Sequence, residues 1–142
     1  MKYMSTQITK FTGYFVVCVM CIFVYGRYRC NHPEYTDILE TKLVVNQPLG
    51  LDLDGWSMSH FLFFTLIGYT FPTKNFLLCA FLLGCGWEIF ENTAGKDRPS
   101  WLGGYGDCEW ENTDQGNWWY GKISDPIINM AGLYCGYRLS LR

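Results

Sequence analysis

The sequence has no large excess of either charge and no cluster of lysines or arginines. Its 11 Lys and Arg face 13 Asp and Glu, for a formal net charge of -2. The phosphate-binding footprint of a nucleic-acid protein is therefore missing, and no nucleic acid is expected as a partner. No small-residue A-x-A site follows the first apolar run, so that run reads as an uncleaved membrane helix and not as a removed signal. No tight zinc-type ligand motif is present, and no nucleophile motif accompanies the acids described below.

What is present is apolar mass gathered in blocks. Hydrophobic residues make up 49% and aromatics 18%, yet mean hydropathy is only +0.01, which requires apolar runs separated by polar connections. We therefore expect an all-α, multi-pass integral membrane protein. About four transmembrane helices are expected, at residues 8–25, 57–71, 75–90 and 126–141, in one membrane domain covering residues 1–142. The last three fall short of the roughly 20 residues usual for a span, so polar helix ends within the headgroups or a partial re-entrant path are allowed for. Pro72-Thr73-Lys74 breaks the second helix from the third and predicts an antiparallel hairpin.

Five of the cysteines, Cys18, Cys21, Cys79, Cys85 and Cys135, lie in apolar blocks, where cysteine behaves as a small hydrophobe. Cys30 and Cys108 lie in polar connections, and in an oxidising compartment they are candidates for a disulfide. The connection before the second helix contains an amphipathic segment, residues 33–45, expected to lie on the membrane surface. Residues 94–123 form a long Trp- and Gly-rich loop between helices 3 and 4. Its Trp101, Trp110, Trp118, Trp119 and Tyr120 favour the headgroup zone, and a loop this long is also a candidate lid.

The stretch GCGWEIFENT, residues 84–93, interrupts an apolar helix pattern with two carboxylates three residues apart, Glu88 and Glu91. That spacing puts both on one helix face. Acids in the last turn of a helix oppose its dipole, so capping does not account for them; snorkelling to the interface or pairing with Arg98 is the plain alternative. Alternation through four helices brings the start of helix 2, the end of helix 3 and the start of helix 4 to one side of the membrane. Those places carry His60, Glu88 with Glu91, and Asp125. Asp125, Asn129, Gly132 and Gly136 share one stripe of helix 4, and Gly132 with Gly136 makes a G-x-x-x-G spacing suited to close helix approach or to an oligomer contact. Ala80, Gly84, Glu88 and Glu91 form a matching stripe on helix 3.

Each polar residue also has a structural explanation. Asp125-Pro126 looks like a helix N-cap followed by Pro at the first helical position. His60 can serve as a hydrogen-bonding group inside the bundle and Asn129 as interhelical glue. Asp52-Leu53-Asp54 resembles a metal-binding D-x-D, but capping by Asp54 with Ser57 explains it better. Taken as a site, the group fits two chemistries. Two acids held close in a low dielectric repel, so one keeps its proton and can act as general acid while the other is a base. Alternatively a divalent cation such as Mg²⁺ or Mn²⁺ separates them, with Glu88, Glu91, His60 and Asp125 as ligands.

DGWSMSHF around His60, GWEIFENT, Asp97-Arg98, Tyr105-Gly106-Asp107 and SDPIINMAG together resemble the uncharacterised bacterial membrane-protein family called domain of unknown function 2585. The likeness covers residues 54–138. It marks His60, Trp87, Glu88, Glu91, Asn92, Arg98, Asp107, Ser124 and Asp125. This chain differs in a shorter interval after Asn92, in Cys108 where the family has Ser, and in about a dozen Trp-rich residues before Ser124. More distantly, the order His, acid, then D-x-x-x-N-x-x-G is similar to VanZ-like membrane proteins, associated with glycopeptide-antibiotic tolerance. Neither likeness supplies a reaction.

The expectation is a polar His/Glu/Glu/Asp site at one membrane interface, binding or acting on a phosphorylated or lipid-linked amphiphile. Glu88, Glu91, His60 and Asp125 would carry the chemistry; Arg98, Asn129, Trp87 and Asn92 would contact substrate. The rival is a non-catalytic accessory, resistance or transport-associated protein in which these residues hold the helices together.

Overall fold

A computed structural model describes residues 2–32, 38–46, 51–97 and 121–142. The chain is mainly helical: α1 is Lys2–Asn31, α2 Gly55–Thr70, α3 Lys74–Asp97 and α4 Ser124–Ser140. All four expected helices are there, with α1 and α3 longer than expected. α1 runs past the expected apolar block at both ends. α1 and α3 are long and apolar enough to cross a bilayer. Their qualifying spans are Met4–Tyr28 and Lys74–Ala94, with mean hydropathies of 1.8 and 1.2. α2 and α4, with 16 and 17 residues, would rise about 24–26 Å, somewhat under the hydrocarbon thickness.

The expectation of an all-α fold needs one correction. Before α2 lies an antiparallel hairpin of β1, Lys42–Asn46, and β2, Leu51–Asp54, preceded by a short 3-10 turn at Ile38–Glu40. Where an amphipathic surface segment was expected to end, Leu43-Val44-Val45 is strand. Adjacent β-branched residues favour extended backbone, and the alternating Leu51-Asp52-Leu53-Asp54 supplies a partner of period two. Val44 pairs with Leu53 and Val45 with Asp52, with an irregularity between Lys42 and Val44. Residues 33–37, part of the expected amphipathic segment, lie outside the described residues.

Two compact units divide the chain. One comprises residues 1–35 and 90–120, the other residues 36–89 and 121–142. The first contains α1 and the end of α3. Phe11 and Ala94 are its buried apolar side chains among the described residues, and Glu91 lies within electrostatic reach of Cys18 on α1.

The second unit holds the hairpin, α2, most of α3 and α4. Asp54 ends β2 and caps α2, its side chain accepting the Ser57 N–H at 3.0 Å, which satisfies a donor the helix leaves open. α2 stops at Phe71, whose N–H bonds the Ile67 carbonyl at 2.9 Å, and Pro72 bars continuation. Residues 71–73 alone join α2 to α3. α2 and α4 pack backbone to backbone. A Cβ at Gly132 would stand 2.6 Å from the Phe61 carbonyl oxygen; one at Gly136 would collide with the Thr65 carbonyl, and one at Gly68 with that of Leu133. The close-approach face offered by Gly132 and Gly136 is thus filled by α2 of the same chain. Phe64, Ile67, Phe71, Ala80 and Leu133 complete the core.

Candidate functional site

Within the second unit, the first two turns of α2 and α4 and the later part of α3 gather a largely buried polar cluster. His60 comes from α2, Glu88 from α3, and Asp125 and Asn129 from α4. One ligand-type atom from each of His60, Glu88 and Asp125 lies within 4.8 Å of the others. Glu88 and Asp125 are buried, and Asn129 has no exposed surface. His60 Nδ1 stands 2.9 Å from Asn129 Oδ1 and 3.7 Å from Glu88 Oε1. A carbonyl oxygen only accepts, so the ring carries its proton on Nδ1 when it bonds Asn129.

Glycine makes this convergence possible. A Cβ at Gly84 would come within 2.9 Å of Asn129 Nδ2 and 2.8 Å of the Phe64 ring. The Gly84 to Glu88 stripe of α3 therefore admits α2 and α4 side chains where any larger residue would exclude them.

A second set of contacts holds the acids in place. Ser57 Oγ lies 2.9 Å from Asp125 Oδ1 and 3.3 Å from Asp54 Oδ1. A hydroxyl has one proton, and the shorter contact marks Asp125 as its acceptor. Asp54 is held instead by the Ser57 N–H and by an ion pair with Lys122 Nζ. The Lys122 backbone N–H donates to Glu88 Oε2 at 3.1 Å. Lys122 thus touches two acids from the segment that leads into α4, and the Ser124 hydroxyl adds a long contact of 3.4 Å to Asp125. Glu88 Oε1 and Asn129 Nδ2 are buried with no hydrogen-bond partner among the described residues.

The expected N-cap at Asp125 is overturned. α4 begins at Ser124, its N-cap position is Ile123 in helical conformation, and no side chain caps it. Asp125 lies inside the first turn, where its carboxylate favours the positive end of the helix dipole and accepts from Ser57. The capping reading of Asp54 with Ser57 stands.

Of the sequence-derived site residues, the structure brings together His60, Glu88, Asp125 and Asn129. Glu91 is described with α1 in the other unit. Trp87 is half-buried and Asn92 exposed. Arg98, Asp107, the aromatic loop and the Cys108 half of the suggested disulfide lie outside the described residues, as does the side chain of Cys30. Sequence reasoning missed Lys122 altogether and gave Ser57 only a capping role. Lys122 sits in a connection without periodicity, so nothing in its spacing tied it to Asp54 or Glu88.

The chain is a helical protein in which a part-buried imidazole meets buried carboxylates. Comparison with protein-family models, with curated proteins and with solved structures returns no match.

Proposed function

We propose that this chain is a multi-pass integral membrane protein whose four helices enter the bilayer, and that it binds a phosphorylated or lipid-linked amphiphile at the His60, Glu88 and Asp125 cluster. One observation supports the reading above others: a buried polar cluster sits inside helices whose outward faces are apolar. Leu62 and Leu66 on α2, Leu78 and Leu82 on α3, and Ile127 and Met130 on α4 are all exposed. Water-facing helices carry polar residues at such positions, whereas lipid-facing helices carry apolar ones and turn ionisable groups inward. The shortness of α2 and α4 is met by their polar ends: Asp54, Ser57, Lys122 and Asp125 all stand at helix starts, a depth suited to headgroups.

An amphiphile suits the place, because a site at helix ends receives a polar head while its chain stays in lipid. In this reading His60 and Glu88 exchange or hold protons at the head group, and Lys122 contributes positive charge. The likeness of DGWSMSHF, GWEIFENT and SDPIINMAG to the uncharacterised membrane-protein family selects the same helix-borne residues.

A second reading has a specific observation in its favour. The Ser57 to Asp125 and His60 to Asn129 hydrogen bonds both tie α2 to α4, as helix-locking groups would. Mass spectrometry of lipids retained by gently solubilised protein separates the two. If Glu88→Gln inserts and remains folded but loses a bound phosphorylated or lipid-linked species, the binding reading holds. If the wild-type protein retains no such species and Glu88→Gln loses assembly, the helix-locking reading replaces it.

A further inference from the structure

We infer that His60, Glu88 and Asp125 form a binding site for one divalent first-row metal ion, with the side-chain oxygen of Asn129 as an additional donor. This inference rests on the cluster's geometry and stands apart from the identity of any amphiphile.

The donor set is one imidazole nitrogen and up to three oxygens, drawn from three helices. Ligand atoms about 2.1 Å from a shared ion stand about 3–4.2 Å apart. His60 Nδ1 to Asn129 Oδ1 at 2.9 Å and to Glu88 Oε1 at 3.7 Å match that spacing. The limit of 4.8 Å across His60, Glu88 and Asp125 closes with side-chain shifts of less than about 1 Å.

A second observation, independent of the spacing, points to a ligand. Glu88 is buried, with a side-chain exposure of 8%, and its Oε1 faces His60 Nδ1 without a hydrogen-bond donor among the described residues. A buried carboxylate oxygen left in that state is costly. Its other oxygen is already fixed by the Lys122 N–H, so the carboxylate is oriented with Oε1 directed into the cluster. Asp125 is likewise oriented, through Ser57. These are the outer contacts that metal ligands require.

Charge agrees with geometry. Asp54, Glu88 and Asp125 bring three carboxyl groups together, and Lys122 pairs directly with Asp54, leaving Glu88 and Asp125 to face the imidazole. On metal binding the Nδ1 proton is released and Nε2 takes one up from solvent, so the ring stays neutral, changes tautomer and presents the Nδ1 lone pair to the ion. Oxygen-rich coordination with one imidazole suits Mn²⁺ better than a thiolate-preferring ion, and Mn²⁺ is the probe of choice.

The test uses the full chain in detergent micelles, stripped of metal with chelator and titrated with Mn²⁺ under electron paramagnetic resonance. The expected result is one saturable Mn²⁺ per chain with pulsed-resonance coupling to an imidazole nitrogen. That coupling should vanish in His60→Gln, and affinity should fall at least about tenfold in Glu88→Gln and in Asp125→Asn, since even changes outside the ligand shell cost that much. The wild-type titration needs no variant to fold. Absence of saturable binding overturns the site, as does bound Mn²⁺ lacking nitrogen coupling. Coupling that survives His60→Gln also overturns it, by assigning the nitrogen to another residue such as His32. Because lipid retention is a separate measurement, loss of the amphiphile reading leaves this result unchanged, and the converse holds.

Discussion

His60 on α2 and Asn129 on α4 meet side chain to side chain, Nδ1 to Oδ1 at 2.9 Å, and Asn129 has no exposed surface at all. An amide so placed can stay only if its hydrogen bonds outweigh the cost of removing it from solvent. Asn129→Ala should therefore destabilise the protein by about 1–3 kcal/mol, because it strands the His60 ring nitrogen inside the helices. Denaturant unfolding in micelles measures this, and an unchanged midpoint would falsify the idea that the pair holds α2 to α4.

The glycines of α4 make a different kind of contact. Gly136 lies against the Thr65 carbonyl and Gly132 against that of Phe61, so a methyl group at either meets backbone, which cannot rotate away. Gly136→Ala should lose at least about 1–3 kcal/mol, the usual cost of overpacking. Gly86 on α3 has open space where its Cβ would go, so Gly86→Ala should gain up to about 1 kcal/mol from helix propensity. Equal effects at the two positions would contradict the packing. If Gly136→Ala changed only self-association and left monomer stability intact, these glycines would serve a partner after all.

The existence of the four helices and their faces could be read from the chain; the partners of those faces could not. The stripe Asp125, Asn129, Gly132, Gly136 is buried along its whole length, because helical periodicity alone decides which residues share a face. Convergence of His60, Glu88 and Asp125 followed from counting helices between short breaks such as Pro72. Glu91 shares the Glu88 stripe by the same counting, yet the structure assigns it to the unit with α1. Helical spacing fixes an angle around one axis and leaves open which neighbour fills that side. Lys122 escaped notice because its contacts to Asp54 and Glu88 are long-range. The hairpin escaped because Leu43-Val44-Val45 is too short for periodicity to separate strand from amphipathic helix.

Asp54 has two duties that substitution can separate. It caps α2 through the Ser57 N–H and forms an ion pair with Lys122. Asp54→Asn keeps an oxygen for the cap and loses the charge, while Asp54→Ala loses both. Alanine should cost about 0.5–2 kcal/mol for the cap alone and more for the stranded ammonium group. Asparagine should fall between alanine and the wild type. Thermal unfolding of the two variants gives the order, and equal loss in both would mean that the cap contributes nothing.

Exposed cysteines test the membrane reading itself. Cys21 on α1 and Cys79 on α3 are both exposed, and both lie within the segments long and apolar enough to cross a bilayer. In lipid, a thiol with open surface still meets hydrocarbon, which charged reagents do not enter. A membrane-impermeant maleimide should therefore leave both unlabelled in sealed vesicles and in vesicles opened to admit reagent to either face. Denaturation in detergent should make both react. Peptide mass spectrometry assigns the label residue by residue, so the remaining cysteines do not obscure the result. Rapid labelling of Cys79 in intact opened vesicles would place the start of α3 in water. The hydrocarbon boundary would then lie beyond it, the apolar span that ends at Ala94 would be cut to a rise of about 22 Å, short of the hydrocarbon core, and the four-helix membrane arrangement would fail with it.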